Sequence, residues 1–281
     1  MTREQELAKK WYDELGFPHS MDDAFEKTLQ SVGIAKGITI EEYVADEQNG
    51  AKNLIHFLYF CEELSRKYKE KGIPDEICKD TLRDIVIWTK TWSDIKGALY
   101  LGETLWLRRH LEMRLFRLGR LQFCMAPSEF DIPEKKITRG TPIIEVHIPE
   151  GEPLSWAACH ASLQKAREFF ALYYPDYAYS LFTCHSWLLD TSLCELLPEN
   201  SNILKFSHLF EIVRQDPSDA ILGYLFVWGA KRDEIKKYTP TSSFAARVKE
   251  AVIGGRRFYE GLGCIAKGCD DTGNAITKEK E

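Results

Sequence analysis

PIIEVHIPEGEPLSWAACHASLQKAREFFALYYPDYAYSLFTCHSW, residues 142–187, contains the clearest pattern in the chain. In Ile143–Ile148 every second residue is apolar and Glu145 and His147 share the other face, which predicts a strand. After the turn PEGEP, apolar residues recur at helical spacing from Trp156 to Tyr173, and Pro175 ends the helix. A second strand is predicted at Tyr179–Trp187. Strand, helix and strand at this spacing favour a βαβ unit with a parallel pair.

The chain on either side of this unit continues a mixed pattern. Before it, alternation from Leu121 to Met125 predicts a strand. After it, further strands are predicted at Leu209–Arg214 and Ile221–Trp228, separated by a polar turn. A last amphipathic helix is predicted from Ser243 to Leu262, and the small polar residues from Gly268 onward are typical of a frayed tail.

The first 118 residues follow the helical period instead. The longest run extends from Ile77 to Leu99, and a shorter one from Leu107 to Leu118. The change of period predicts an α+β protein with a helical domain at 1–118, a mixed α/β domain at 119–267 and a flexible tail at 268–281. A chain of 281 residues is long enough for two such domains.

Composition narrows the classes of function. Hydrophobic residues make up 44% of the chain, charged residues 28%, and the net charge of -6 is divided equally between the two halves. Neither half is basic, so we expect no nucleic-acid partner. The sequence has no signal-peptide pattern and no apolar run of about 20 residues, which predicts a cytoplasmic protein with no membrane partner. Eight cysteines without a Cys-x-x-Cys spacing predict no metal site.

The second half resembles the C-terminal domain of a bacterial family of GNAT-like acyltransferases, and the first half resembles the N-terminal domain that precedes it in that family. The resemblance rests on EVHIP (Glu145–Pro149), Leu154, Ser162–Leu163, Ala166, CHSWLLD (Cys184–Asp190), LPENSNILKF (Leu197–Phe206) and LRRHLEMRLFRLGRLQF (Leu107–Phe123). It implies an acyl-CoA-dependent N-acyltransferase that takes acetyl-CoA or another acyl-CoA as co-substrate, with acetyl as the expected group and an amine as acceptor.

The resemblance also implies where the donor binds. In the GNAT fold the thioester lies between two splayed parallel strands, and the turn after the first strand holds the pyrophosphate. The corresponding residues here are Ile148, Gly151, Leu154 and Ser155. Typical members carry a glycine-rich loop at this turn, whereas PEGEPLS has one glycine and two acids, although helix N-terminal N–H groups can still bind phosphate. Compensating charge could come from Arg108, Arg109, Arg114, Arg117 and Arg120, which are otherwise read as a solvated helix face.

Amide formation from a thioester requires a base for the amine, a stabilised oxyanion and a proton for the leaving thiolate. Glu145 and His147 are the candidates for the base; the alternative is a structural hydrogen bond. Cys184 facing His147 would give a thiolate nucleophile, and a buried apolar cysteine is the alternative. Typical members use a tyrosine as acid in the helix after the second strand, but Leu188–Leu197 contains none. Tyr224 or His185 would have to replace it.

Four residues are candidates for binding the small-molecule substrate. Ser186, Trp187 and Asp190 lie near the end of the second strand, and Asn202 lies in a later polar turn. Asp190 could instead cap the next helix, and Asn202 could simply belong to a polar turn. The main functional alternative is an inactive GNAT-like module that binds an acyl or CoA-type ligand or a protein partner. The oligomeric state is left open.

Overall fold

A computed structural model describes residues 1–34, 39–45 and 49–266. The chain forms two compact units. The first contains Met1–Leu118, Gln122–Cys124 and Ala171–Tyr173, and the second contains Gly119–Leu121, Met125–Phe170 and the chain from Tyr174 onward. The domain limits inferred from the sequence stay predictions, and the expected tail at 268–281 lies outside the described residues.

Seven helices account for most of the described part of the first unit. They are α1 (Arg3–Leu15), α2 (Asp22–Ser31), α3 (Ile40–Ala45), α4 (Gly50–Glu70), α5 (Asp75–Leu82), α6 (Asp84–Lys96) and α7 (Thr104–Leu111). A capping box between Thr2 and Gln5 begins α1, and Gly16 ends it with a positive φ. α4 lies centrally and packs against α1, burying Trp11, Phe57 and Tyr68.

Two helical expectations in this unit are wrong in detail. The run from Ile77 to Leu99 is divided at Arg83 into α5 and α6. The run from Leu107 to Leu118 contains α7 and then the strand β1 (Leu115–Leu118), so the first 118 residues are not all helix. The chain leaves α7 through Met113, whose φ of 51° is incompatible with a continuing right-handed helix.

The remaining strands are β2 (Leu121–Pro127), β3 (Pro142–His147), β4 (Leu181–Ser186), β5 (Glu211–Pro217) and β6 (Tyr259–Ala266), and the remaining helices are α8 (Trp156–Tyr173), α9 (Asn202–Ser207), α10 (Ala220–Leu225) and α11 (Ser243–Ile253). The strands form a sheet in the order β1-β2-β3-β4-β6-β5. β3 and β4 are parallel and connected through α8, which confirms the βαβ unit, whereas β6 is antiparallel to β4 and β5. A helical N-terminal part followed by this mixed sheet confirms the α+β class.

The end of the chain differs most from expectation. Ile221–Trp228 is wrong as a strand, since most of it is α10; the Ser218 hydroxyl accepts a bond from the Ala220 N–H at 3.1 Å where that helix begins. The helix expected over Ser243–Leu262 ends at Ile253, and Gly255 turns the chain with a φ of 87°. The chain then forms β6, whose Gly261 and Gly263 leave no space for a Cβ beside neighbouring atoms of Leu189 and Phe210.

Candidate active site

The central feature of the candidate site is the place where the parallel pairing of β3 and β4 ends. Ile144 registers with Phe182 and Glu145 with Thr183, and the ladder recorded between the two strands stops there. Both strands continue, β3 to His147 and β4 to Ser186, and β4 remains in register with β6 throughout. The carboxyl ends of parallel strands are where α/β sheets commonly bind ligands.

A histidine from each strand lies beyond this last pair. His147 and His185 are each two residues further along than the registered pair Glu145–Thr183, so they share its face of the sheet. They therefore flank the end of the ladder, one on each strand.

Each of these histidines has a carboxylate neighbour. His147 Nε2 lies 3.3 Å from Glu145 Oε2, and the two side chains are 29% and 19% exposed. His185 Nε2 lies 3.7 Å from Asp216 Oδ2 on β5, with 34% and 41% exposure. The Glu145 carboxylate is within hydrogen-bond distance of His147 and orients its ring, whereas Asp216 is a close neighbour of His185 beyond hydrogen-bond distance. Both pairs are thus partly accessible to solvent.

An aromatic ring and a guanidinium, those of Phe130 and Arg214, lie beside the His185–Asp216 pair. The Phe130 ring is edge-on to His185, with 5.2 Å between ring centroids, and the Arg214 guanidinium lies 4.3 Å from the centre of the same Phe130 ring. Arg214 also pairs with Asp216 at 2.6 Å. The carboxylate that faces His185 is therefore held in place from a second side.

The structure separates Cys184 from the two pairs. Thr183 shares the face of Glu145, so its neighbour Cys184 points to the opposite face and does not meet His147 there. The thiol is buried, and burial, with a smaller effect from the Glu145 charge, raises its pKa far above the usual value. A neutral buried thiol is a poor nucleophile.

The turn after β3 leads into α8, as expected. Gly151 has a φ of 123°, which favours glycine, and Glu150 and Glu152 are exposed. Ser155 caps α8, accepting a bond from the Ala158 N–H at 3.3 Å. Of the other predicted donor-binding residues, Ile148 and Leu154 are partly buried on either side of this turn.

Arg120 holds the two ends of the turn. It is 6% exposed and its Nη1 donates to the Pro149 carbonyl at 2.8 Å, while its Nε donates to the Pro153 carbonyl at 3.4 Å. Of the other arginines considered, Arg108 and Arg114 pair with Glu112 within the first unit.

The four predicted substrate-binding residues occupy different positions. The Ser186 hydroxyl accepts from the Leu188 N–H, and the ring of Trp187 follows at 9% exposure. Asp190 is 2% exposed and accepts bonds from the N–H groups of Ser192 and Tyr259, at 2.8 and 3.0 Å, so its carboxylate is occupied by the backbone. Asn202 is exposed at the start of α9, away from the end of β4 in sequence.

Trp187 begins a row of aromatic rings. Its ring centroid is 5.9 Å from that of Tyr224, which is 5.6 Å from that of Trp228. Tyr224 is 61% exposed and Trp228 40% exposed. Because Trp187 directly follows β4, this aromatic row extends from the same end of the strand as His185.

Each half of the chain matches the model of a known protein-family domain. Residues 5–113 match the N-acyltransferase N-terminal domain and residues 115–265 match the GNAT-like C-terminal domain. The chain belongs to the GNAT-like acyltransferase family. The matches cover both halves in the expected order, which confirms the resemblance found in the sequence.

Solved acyltransferase structures share the fold of this GNAT-like acyltransferase. An acyltransferase in complex with decanoyl-CoA and teicoplanin is 26% identical, with a TM-score of 0.69, and the match covers 94% of this chain and 85% of that one. Another, in complex with CoA and 10C-teicoplanin, is 25% identical, with a TM-score of 0.68 and the same coverage. A mutant acyltransferase in complex with octanoyl-CoA has a TM-score of 0.75 at 24% identity, covering 93% of this chain and 88% of that one. No curated protein matches the chain.

Sequence reasoning missed two features of this GNAT-like acyltransferase. The polar turn predicted after Arg214 includes Asp216, whereas the structure places both residues on β5, and their i, i+2 spacing is typical of two residues on one face of a strand. Arg120 was grouped with helical arginines, although Gly119 beside it marks a hairpin, where φ is 85°.

The described residues of this GNAT-like acyltransferase contain neither a cluster of metal ligands nor a membrane-spanning helix. Among residues 1–34, 39–45 and 49–266, no three His, Cys, Asp or Glu side chains group as metal ligands. Within the same ranges, no helix combines the length and apolarity needed to cross a bilayer.

Proposed function

We propose that the protein is an acyl-CoA-dependent N-acyltransferase whose active site lies where the β3–β4 ladder ends. The observation that carries this proposal is the pair of histidines, His147 and His185, on the two sides of that ladder end, each beside a carboxylate. A thioester between the strands would have a proton acceptor on one side and a proton donor on the other. Family membership supports the reaction class.

In the proposed reaction the acceptor amine attacks the thioester carbonyl carbon, a C–N bond forms, and the C–S bond breaks. His147 takes the proton that the amine loses, and Glu145 orients the imidazole and stabilises its charge. His185, which lies beside Asp216, gives a proton to the departing thiolate of CoA. This assignment replaces the tyrosine acid that the sequence lacks, and it leaves Cys184 outside the chemistry because its thiol is buried on the other face.

The proposed site for the pyrophosphate of CoA is the turn Pro149–Pro153 with the start of α8. The first N–H groups of an 18-residue helix carry the positive end of its dipole. Gly151 permits close approach of the backbone to a phosphate, and Ile148 and Leu154 would contact the pantetheine arm.

We propose a medium-length acyl chain in preference to acetyl. The support is that the 26%-identical acyltransferase binds decanoyl-CoA and the 25%-identical one binds CoA with 10C-teicoplanin. For the acceptor we propose an amine carried on a molecule with flat rings. The aromatic row Trp187–Tyr224–Trp228 supports this, because exposed rings at stacking distances bind flat apolar or sugar surfaces.

The experiment is a transfer assay with the purified full chain. Acetyl-, octanoyl- and decanoyl-CoA are each incubated with a panel of simple, aromatic and sugar amines. The amide and the free CoA are quantified by mass spectrometry, because the exposed Cys194 thiol would react in a colorimetric thiol assay. We expect amide formation to be fastest with the longer donors and with ring-bearing amines, and we expect Cys184→Ala to retain activity within about twofold.

The outcomes separate the alternatives. If calorimetry shows binding of acyl-CoA but no acceptor gives an amide product, the result favours the inactive module. The two acids of the turn are the sequence feature that points to that alternative. No binding of any acyl-CoA at millimolar concentration overturns the proposal. Loss of activity in Cys184→Ala with unchanged unfolding would restore the cysteine route.

A further inference from the structure

Arg120 is a buried cation next to the proposed pyrophosphate turn, and it donates hydrogen bonds to backbone carbonyls of that turn. It follows Gly119 in the β1–β2 hairpin and begins β2 with Leu121. The hairpin is fixed to α8, since the Leu121 N–H donates to the Ser162 hydroxyl at 3.1 Å and Ser162 is fully buried. A Cβ on Gly119 would lie 2.9 Å from that hydroxyl. The backbone on both sides of Arg120 is therefore held against α8.

The guanidinium is matched to the shape of the turn. Two of its N–H groups donate to the carbonyls of Pro149 and Pro153, the first and last residues of PEGEP. A planar guanidinium can bridge two carbonyls in a fixed geometry, which a lysine ammonium cannot do. The two bonds therefore hold both ends of the turn, and with them the backbone between Pro149 and Pro153.

The charge of Arg120 is unusual for its position. Its field lowers the pKa of the Cys159 thiol, which burial, as the larger effect, raises to about 11. Cys159 is in the first turn of α8, so the cation acts on the positive end of that helix. An anion bound there would interact favourably with both the guanidinium and the N-terminus of the helix.

The charge of Arg120 also opposes the repulsion that the two acids of the turn would exert on a pyrophosphate. Glu150 and Glu152 are exposed, so water and salt screen their charges. Arg120 is buried, where the effective dielectric is lower and its field extends further. The net field at the turn can therefore favour a pyrophosphate despite two nearby carboxylates.

From this we infer that Arg120 is the positioning residue that shapes the turn Pro149–Pro153 for the pyrophosphate of the donor, in place of the glycine-rich loop of typical members. The inference rests on the proposed function. It assigns Arg120 to the binding of the nucleotide end of the donor and not to the acyl end or to catalysis.

The test compares two donors that differ only at the nucleotide end. Decanoyl-CoA carries the pyrophosphate, and S-decanoyl-pantetheine carries the same thioester without it. The dissociation constant of each is measured by calorimetry on the full-length wild type, Arg120→Met, Arg120→Lys and the control Arg139→Met, which removes an exposed arginine of the same unit.

We expect Arg120→Met to weaken decanoyl-CoA binding about tenfold, or about 1.4 kcal/mol, and to leave decanoyl-pantetheine within about twofold. Arg120→Lys keeps the charge but loses the bridging geometry, so we expect a weakening of about threefold. Arg139→Met should bind both donors as the wild type does. If Arg120→Met does not fold, as thermal unfolding will show, the Arg120→Lys comparison carries the test.

Two results would overturn the inference. One is an equal loss of affinity for both donors, which would mean a general structural role. The other is unchanged affinity for decanoyl-CoA in every folded Arg120 variant. Wild type that binds neither donor overturns the proposed function, and the inference with it, which is distinguishable from failure of the inference alone.

Discussion

Two carboxylate–histidine pairs in this chain have nearly the same contact distance and opposite surroundings. In the first unit, Asp84 Oδ2 lies 3.2 Å from His110 Nε2, with side-chain exposures of 4% and 0%. In the second unit, Glu145 Oε2 lies 3.3 Å from His147 Nε2, with exposures of 19% and 29%. The contact distance is the same within 0.1 Å, so burial is the variable that separates the two pairs.

Burial changes what a charged pair does. Asp84 also accepts a bond from the Trp106 indole at 2.9 Å, and its pair is enclosed by α6 and α7. A buried carboxylate that loses its partners is costly, so this pair must remain intact for the helices to pack. A partly exposed pair at a strand end can exchange protons with a substrate at little structural cost. We therefore expect the buried pair to act in stability, and we propose the accessible pair for the chemistry.

Removing the buried carboxylate should have the largest effect. Asp84→Ala leaves the Trp106 N–H without its acceptor and His110 without its carboxylate neighbour in the core, and we expect a loss of about 3–5 kcal/mol in the free energy of unfolding. Urea unfolding monitored by tryptophan fluorescence measures it. Asp94→Ala is the matched control, because Asp94 pairs with Lys90 at 3.0 Å on the exposed face of the same helix, and it should cost less than about 1 kcal/mol. Equal losses in the two variants would erase the proposed distinction.

Removing the accessible histidines should lower activity and not stability. We expect His147→Ala to reduce kcat about a hundredfold in the transfer assay, the usual contribution of a positioned acid or base. Its free energy of unfolding should stay within about 1 kcal/mol of the wild type, since the ring is partly exposed. A stability loss comparable to that of Asp84→Ala, with kcat retained, would mean that both pairs are structural.

The roles of the two accessible histidines can be divided by the leaving group. An aryl thioester releases an acidic thiol that needs no proton donor. We expect it to restore most of the activity of His185→Ala and little of that of His147→Ala. Rescue of both variants alike, or of neither, would contradict the assignment of acid and base.

The buried pair also predicts the pH dependence of stability. Burial would raise the pKa of Asp84, but the His110, Trp106 and Gln122 side chains outweigh it and hold that pKa below its usual value. A depressed folded-state pKa adds stability that is complete above the unfolded-state value of about 3.9 and is lost as the pH falls through the folded-state pKa. Unfolding curves between about pH 6 and 3 should therefore fall less steeply for Asp84→Asn than for the wild type. Parallel curves would show that this pair does not set the acid response.

The sequence predicted the βαβ unit because its periods are long and strongly alternating. β3, α8 and β4 were identified within about two residues, and the pairing of Glu145 with His147 followed from their i, i+2 positions on one strand. The errors fall where short apolar runs fit two periods. Ile221–Trp228 is such a run, and periodicity alone does not separate a strand from a buried helix segment.

The parts of the site that the sequence did not predict depend on residues distant in the chain. His185 meets Asp216 through the order β4-β6-β5, and Arg120 meets the turn 149–153 through the hairpin before β3. The position of Cys184 on the opposite face from Glu145 and His147 also depends on the pairing between β3 and β4, in which Glu145 is in register with Thr183. Local pattern gives the faces of each strand, but register decides which faces meet.

Exposed charges complete the comparison and give the smallest expected effect. Glu150 and Glu152 stand on the proposed pyrophosphate turn, fully open to solvent screening. If the turn faces a pyrophosphate, removing one negative charge should strengthen binding slightly, and we expect Glu150→Gln or Glu152→Gln to lower the dissociation constant of decanoyl-CoA about two- to threefold. The gain should shrink as salt is raised from 50 to 500 mM, because screening already weakens the repulsion. Glu199→Gln, which removes an exposed acid outside the turn, should change nothing. Weaker binding in the turn variants would mean that these carboxylates contact the donor favourably. The expectation that the effect of removing a charge decreases from buried to half-buried to exposed groups would then be wrong for the exposed groups.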